Sequence, residues 1–367
     1  MAYKDLHDEP FDEGTIFKLE LFEDYAQAWI PTFVMSSYKE IWIFDFFAGT
    51  GYDLNNVPGS SIRILKQLTN QVGNIFQKEK KINVCFNEFN YKKYLLLIES
   101  CEKFLQANPE LSRAINVIYE NKDFTEVFSE YYKTIFDFPS LVYLDQNGMK
   151  FLSDKYLLQL EQCNTTDFLY FLSSSYFRRF GNTEKFQSNL KIDLTRVKDQ
   201  PYNCVHKSIL EQIKEKLPQG SDLKLYPFTI KKPSGVYGII FGTKHVRGAD
   251  KFLKAAWKRN SINGEANFDI DDDEGKNQLD MFQGKRLTKR EYFAKNLKDK
   301  ILDGSILTNK EAFHYSIEQG HITKHAHDVV LEMKKSRLIN FTEKSPLINY
   351  EQIYQNNRFV TFVRNRK

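Results

Sequence analysis

The segment IWIFDFFAGTG, residues 41–51, combines residue types that can form a ligand site. An apolar stretch ends at Asp45, and a tight turn with Gly49 and Gly51 follows it. Glycines lack a Cβ atom, so such a turn lets the backbone approach a ligand at the carboxyl end of a strand. The turn does not open a helix as GxGxxG, which argues against a phosphate-binding dinucleotide site. We therefore predict ligand contacts at Asp45, Phe47, Gly49 and Gly51.

Acidic residues follow the next two apolar segments. Glu88 closes KINVCFNE, and Asp123 follows NVIYENK. Two neighbouring ribose hydroxyls donate well to one carboxylate at the end of the second strand. Glu88 is predicted to take that role, Asp123 to meet an adenine amino group, and Phe124 to offer its ring face. Together with the glycine turn, these residues predict a nucleoside pocket.

The form Asp-x-Phe-x-Gly-x-Gly resembles the first motif of S-adenosylmethionine (SAM) methyltransferases, in which the turn faces the methionine part of the cofactor. Phe47 replaces the first glycine often found there, a variation familiar from nucleic-acid methyltransferases. The resemblance implies SAM as the cofactor.

A candidate acceptor site follows the fourth apolar segment, LVYLDQNG. Methyltransferases that act on exocyclic amines use an Asp or Asn followed by Pro-Pro and an aromatic residue. Asp145 and Asn147 are our catalytic candidates, although Gln146 departs from that pattern and leaves amine methylation open. The absence of a Pro-Cys dipeptide excludes covalent attack on cytosine carbon 5. Arg178 and Arg179, further along, are candidates for phosphate or carboxylate contacts.

Alternating segment types predict the elements that position these residues. A helical pattern begins at Thr15 and ends near Pro31. Strand-like segments rich in Ile, Val and Phe then alternate with helix-length connections, which is typical of a parallel sheet covered on both faces. The segments 222–230 and 236–245, joined by KKPSG, predict an antiparallel hairpin at the sheet edge. We predict a Rossmann-like, seven-stranded α/β fold of the class I methyltransferase type over residues 1–263.

The chain changes character towards its end. Residues 264–283 are acidic and polar and are interpreted as a linker or loop, since the spaced ligands of a calcium loop are missing. From Gly284 to Lys367 there are 17 Lys and Arg against nine Asp and Glu. Three helical stretches and a hairpin there, with N-caps expected at Thr308 and Thr323, predict a winged helix-turn-helix domain over 284–367.

The last of these helices is the predicted recognition helix. Winged helices bind nucleic acid or dock on proteins, and the sequence leaves both open. The predicted nucleic-acid contacts are Lys324, His325, Lys334, Lys335, Arg337 and Lys344.

The sequence argues against a metal site, a membrane helix and a signal peptide. The four cysteines are widely spaced, without a histidine cluster at ligand spacing, so we predict buried thiols and no metal site. Apolar runs are too short for a membrane helix, and the first residues lack a signal-peptide pattern. A cytoplasmic protein is expected.

The segments TIFKLELFEDYAQAW, IWIFDFFAGTG, Pro58-Gly59-Ser60, LVYLDQNG and TDFLYFLSSSYFRRF, with the terminal winged helix, resemble the three-Cys-motif partner proteins, a bacterial family of methyltransferase-like fold. That family usually has Asp-Pro-x-Gly at the fourth strand, where this chain has Gln146. The resemblance implies a radical-SAM-like partner bearing three cysteines. Three hypotheses remain open: a methyltransferase acting on nucleic acid, a non-catalytic partner subunit, and a DNA-binding regulator.

Overall fold

The computed structural model describes residues 10–146, 153–173, 193, 195–196, 205–232, 235–277 and 286–365. The chain divides into two compact units, Met1–His245 and Val246–Lys367. The boundary that we predicted, after residue 263, therefore lies inside the second unit. The helix Val246–Arg259 belongs to the second unit because its apolar face packs there.

The first unit is built on one seven-stranded sheet. Its strands are β1 (Glu40–Asp45), β2 (Lys81–Asn87), β3 (Ile115–Glu120), β4 (Ser140–Leu144), β5 (Thr166–Ser173), β6 (Lys224–Lys232) and β7 (Gly235–Thr243). They lie in the order β3-β2-β1-β4-β5-β7-β6. The first five strands run parallel, whereas β7 pairs antiparallel with both β5 and β6. This topology confirms the predicted α/β sheet and its terminal hairpin.

Helices connect the strands. Their bounds are α1 (Glu13–Val34), α2 (Ser60–Thr69), α3 (Val72–Gln77), α4 (Tyr91–Ala107), α5 (Pro109–Ala114), α6 (Phe124–Asp137), α7 (Asp154–Gln162) and α8 (Val205–Lys214). Asp12 caps α1 by accepting a hydrogen bond from the Thr15 amide. The helix continues three residues past Pro31, beyond its predicted end.

Burial on both faces explains the composition of the central strands. Every residue of β4 is buried, and β2 is buried from Ile82 to Asn87. Strands covered on both faces lack the alternation of polar and apolar residues that half-exposed strands show. The aromatic rings of Phe44, Phe46 and Phe128 contribute to the core between sheet and helices. Aromatic residues make up 15% of the chain, and many of their rings pack in this core.

The second unit contains helices α9 (Val246–Arg259), α10 (Lys289–Asp303), α11 (Asn309–Glu318) and α12 (Thr323–Lys335) and two short antiparallel strands, β8 (Ile339–Asn340) and β9 (Val363–Arg364). Thr308 caps α11 through a capping box with Glu311, as predicted. The N-cap of α12 is Ile322 rather than Thr323, which is the first helical residue. A bridge between Thr308 and Thr361 adds to the strand pairing.

Residues 264–277 do not form a solvated linker. Ala266 is fully buried, and Asp273 accepts hydrogen bonds from the Lys289 amide and the Lys276 ammonium. The Asn260 side chain donates to the carbonyls of Ala266 and Phe268. Of the two alternatives, linker or loop, the structure favours a loop, because asparagine side chains hold the polar segment by hydrogen bonds to its backbone. Residues 278–285 lie outside the described part.

Three of the cysteines, Cys85, Cys101 and Cys163, are buried thiols, as predicted, and Cys204 lies outside the described residues. Among the residues described, no helix combines the length and apolar character that a membrane crossing requires.

Candidate functional site

The turn after β1 has the conformation that its glycines allow. Gly49 and Gly51 have φ values of 66° and 86°, a region that other residues enter at a cost. A Cβ atom on Gly51 would lie 2.6 Å from the Ser100 Cβ. The Gly59 amide donates to the Gly51 carbonyl at 2.8 Å, which joins the turn to the start of α2. The predicted glycine turn is therefore present, and its approach to a ligand stays a prediction.

Asp45 lies beneath the turn rather than on its open side. Its side chain is fully buried, and Oδ1 accepts a hydrogen bond from the Phe47 amide at 3.2 Å. Burial raises the pKa of Asp45 to about 7, against the opposing effects of the Ser60 hydroxyl and the Phe47 amide. The buried carboxyl of Asp45 positions the turn through the Phe47 amide, and its contact with a ligand stays a prediction.

Glu88 lies against the glycine turn. Its Oε2 accepts from the Gly49 amide at 3.1 Å, and its Oε1 accepts from the Asn90 amide at 2.8 Å. Each carboxylate oxygen can accept more than one hydrogen bond. The side chain is only partly buried. The structure thus brings together the two strand ends that the sequence paired.

The loop after β3 joins the same edge through Asn87. The Asn87 amide donates to the carbonyls of Phe46 and Lys122, at 3.1 and 3.2 Å. The next residue, Asp123, caps α6 by accepting from the Thr125 amide. All three predicted neighbourhoods therefore meet at the carboxyl ends of β1, β2 and β3, with Asp123 also serving as a helix cap.

The exposed aromatic ring at this edge of the sheet belongs to Phe89 and not to Phe124, for which we predicted it. Phe124 is 2% exposed, and its ring packs 5.3 Å from that of Phe47 within the aromatic core. The prediction that Phe124 offers a free ring face was wrong, because its position at the start of α6 directs it inward. Phe89, directly after Glu88, is 68% exposed. We did not single out Phe89, although its position beside Glu88 was the available signal.

A cavity of about 180 Å³ opens beside the turn. Its wall includes Phe47, Gly51, Asp145 and residues of α1, β5 and β7. Oδ2 of Asp145 pairs with the Lys18 ammonium, and its Oδ1 is buried. The Tyr143 hydroxyl is buried beside the same carboxylate, and burial, followed by the charge of Asp145 and a hydrogen bond to it, raises the pKa of Tyr143. Asp145 therefore has Lys18 and Tyr143 as its neighbours in the protein, and its carboxylate lines the cavity.

A second lysine lines the same cavity. The Lys232 ammonium donates to the Thr15 hydroxyl at 2.6 Å and lies 3.2 Å from Asp12. Burial lowers the pKa of Lys232, and the neighbouring Lys18 ammonium lowers it further. Gly14 leaves room for the lysine stem, since a Cβ there would lie 2.4 Å from the Lys232 Cγ. The cavity wall thus combines charged and hydroxyl side chains with the aromatic rings of Phe47, Phe171 and Tyr237.

Comparisons with known proteins find a likeness only among solved structures. No protein-family model and no curated protein matches the sequence. The O-methyltransferase TomG from Streptomyces achromogenes, involved in tomaymycin synthesis and solved with SAM, is 11% identical, with a TM-score of 0.34, over 64% of this chain and 90% of TomG. An O-methyltransferase from Bacillus cereus, solved with SAH, is 13% identical, with a TM-score of 0.36, over 65% of this chain and 83% of that one. Likenesses this distant identify no activity.

Some predicted residues fall outside the described part of the chain. Asn147, Arg178 and Arg179 belong to this group. Gln146, which replaces the proline of the resembled pattern, is 4% exposed and has a buried Oε1 without a hydrogen-bond donor.

Predicted nucleic-acid contacts in the second unit divide into two groups. Lys324, Lys335, Arg337 and Lys344 are exposed. His325 is only 6% exposed, its Nδ1 lies 3.0 Å from the His321 Nδ1, and burial lowers its pKa to about 4. Lys334 donates to the carbonyls of Phe341 and Glu343. Packing uses most of the surface of His325, and the strand β8 turn uses the Lys334 ammonium; contact of either residue with nucleic acid stays a prediction.

Lys18 and Lys232 are the functional candidates that we missed. Lys18 lies 127 positions before Asp145, and helical spacing on α1 predicts only which residues share a face. Their burial depends on the pairing of α1 with the distant β6, which no local pattern reveals.

Proposed function

We propose that the first unit is a SAM-dependent methyltransferase. One observation carries the proposal: Glu88 is hydrogen-bonded to the glycine turn, beside a cavity whose wall includes the Asp145 carboxylate paired with Lys18. These groups lie at the carboxyl ends of parallel strands, where open α/β sheets bind their ligands. Five parallel strands followed by an antiparallel hairpin form the class I methyltransferase outline predicted from the sequence.

The described residues fit this cofactor. Glu88 would accept from the ribose hydroxyls, the exposed ring of Phe89 would cover one adenine face, and the 49–51 turn would admit the methionine part. Asp45 would hold the turn by its bond to the Phe47 amide. When bound, SAM supplies an electrophilic methyl group on its sulfonium.

Asp145 is the candidate for orienting the methyl acceptor. Its ion pair with Lys18 fixes the carboxylate at the cavity wall, where it would accept a hydrogen bond from an acceptor N–H or O–H. Such a bond would direct a lone pair of the acceptor atom towards the methyl group. In-line methyl transfer depends mainly on positioning and exclusion of water, and a small cavity beside the turn would serve both.

Nucleic acid is the acceptor class that we propose. The basic balance of residues 284–367 and the exposed Lys335, Arg337 and Lys344 support it. The order of α10, α11, α12, β8 and β9, with the bridge from Thr308 to Thr361, supports a winged helix-turn-helix.

A three-cysteine protein partner and a cytoplasmic location remain proposals that rest on the sequence. The buried Gln146 in place of proline favours the second candidate, a partner subunit that binds the cofactor without turnover. Co-purification of a three-cysteine protein, with no methyl transfer to nucleic acid, would favour that candidate over the enzyme.

The decisive experiment joins calorimetry with radiolabelled transfer. SAM should bind the wild type and the exposed control Glu79→Gln alike, whereas Glu88→Gln should weaken binding about tenfold through loss of charge-assisted bonds. Asp145→Asn should retain SAM and lose transfer to DNA or RNA by about 100-fold. Unchanged SAM affinity in Glu88→Gln would exclude the site, and methyl transfer undiminished in Asp145→Asn would exclude the role of Asp145.

A further inference from the structure

A second cavity, of about 320 Å³, lies within the second unit. We call it the basic cavity. Its wall is formed by Lys254, Trp257, Lys258, Ser261, Arg290, Ile322, Lys324 and His325. Three helix ends supply these residues: the last turns of α9, the first turn of α10 and the start of α12. Four of them carry cationic side chains, which is a strong concentration of one sign around a small volume.

Carboxylates balance this charge only in part. Asp250 pairs with Lys254 at 2.7 Å, and Asp328 pairs with Arg290 at 3.5 Å between exposed side chains. Lys324 is exposed and has no ion pair among the residues that the structure describes. Lys254 and Lys258 are four positions apart on α9, so both bring positive charge to the same wall of the cavity.

Backbone at the start of α12 adds to the positive potential. No side chain caps this helix, whose N-cap is Ile322, whereas Thr288 and Thr308 cap α10 and α11. The first turn of an uncapped helix presents N–H groups and the positive end of the helix dipole. Ile322, Lys324 and His325 place that end in the wall of the cavity. Phosphate binds well where such a terminus and cationic side chains coincide.

We propose that the basic cavity binds a phosphate group of a nucleic-acid backbone. The four cationic side chains and the uncapped helix end favour a phosphate group as the ligand. Nucleic acid is favoured as its source because other exposed cations, Lys335 and Arg337, follow at the far end of α12. A helix of 13 residues spans about 20 Å, so these groups would meet other phosphates of a polymer but not of a small molecule. The inference extends the proposed contact with nucleic acid and does not require methyl transfer.

The test uses the full chain and fluorescence anisotropy with labelled 20-mer duplex DNA and single-stranded RNA over a range of NaCl concentrations. Arg290→Gln/Lys324→Gln should weaken binding about tenfold and reduce the slope of log K against log salt by about 1 to 2. The control Lys78→Gln/Lys133→Gln removes equal charge from exposed positions of the first unit and should bind like the wild type. Both substituted pairs lie on the surface, and thermal melting checks that the fold is retained.

Three further outcomes would overturn the proposal. Equal loss in the control would show that overall charge, not the basic cavity, sets affinity. Loss only in Lys335→Gln/Arg337→Gln would place the contact at the other end of α12. Binding of inorganic phosphate that depends on Arg290 and Lys324, without binding of either oligonucleotide, would assign the cavity to a small phosphorylated ligand. SAM affinity, measured in parallel, should be unchanged in all variants, which separates this proposal from the methyltransferase.

Discussion

The buried carboxyl of Asp45 predicts an unusual dependence of stability on pH. Its side chain has no exposed surface, and burial raises the pKa from 3.8 to about 7. A raised pKa means that the folded state holds a proton that the unfolded state has released. The resulting stability is present below pH 3.8 and is lost as pH rises through 7. Asp45→Asn removes this ionisation while retaining an oxygen that can accept from the Phe47 amide.

The magnitude follows from the shift. At 1.36 kcal/mol per pKa unit, the full effect is about 4 kcal/mol above pH 7. Between pH 5 and pH 8 the free energy of unfolding of Asp45→Asn should rise relative to the wild type by about 3 kcal/mol. Asp167→Asn is a matched comparison, since burial raises the pKa of Asp167 only to about 6. Its relative gain over the same interval should be about 1 kcal/mol.

Pulse proteolysis in urea measures these free energies when the cleaved peptides come from β1 and β2. Such peptides report on the first unit without a contribution from unfolding of the second. The quantity compared is the difference between variant and wild type at each pH, so common effects of pH cancel. A difference that stays constant from pH 5 to pH 8, or a wild type that gains on Asp45→Asn at high pH, would refute the assignment of a raised pKa.

Other predictions concern the turn, the buried ion pair and the histidines. Gly51→Ala should destabilise the first unit by about 3 kcal/mol in urea denaturation, because backbone strain at φ 86° adds to steric overlap with Ser100. The control Gly220→Ala, at φ 82° with no atoms near the new Cβ, should lose about 1 kcal/mol. Equal losses of stability in the two variants would contradict the role of Ser100. Lys18→Met should lower the free energy of unfolding by about 3 kcal/mol, because the buried Asp145 carboxylate loses its ion pair. The double variant Lys18→Met/Asp145→Asn should recover most of that stability. A double variant no more stable than Lys18→Met would argue against the ion pair. Burial holds the pKa values of His321 and His325 below 6.5, so the second unit should lose stability as pH falls from 6.5 to 4. His325→Phe should reduce this loss, as measured by pulse proteolysis with peptides from α12. A second unit equally stable at pH 7 and pH 4.5 would contradict the prediction.

The sequence by itself determined the sheet and the place of the site. Apolar segments alternating with helical ones specify parallel strands covered by helices, because each pattern is local and periodic. The glycines at 49 and 51 likewise fix a turn through their own conformational freedom. The meeting of Gly49 with Glu88 then follows from topology, since the carboxyl ends of adjacent parallel strands lie at one edge.

Only the tertiary structure decided which of the candidate side chains are exposed and which are buried. Asp45, Phe124 and His325 belong to motifs that suggest contact, yet packing from distant elements buries each of them. Lys18 meets Asp145 and Lys232 meets Asp12 across long separations in the chain, through the packing of α1 against the sheet. Burial and ion pairing depend on what covers a residue in three dimensions, and no spacing along the chain records that.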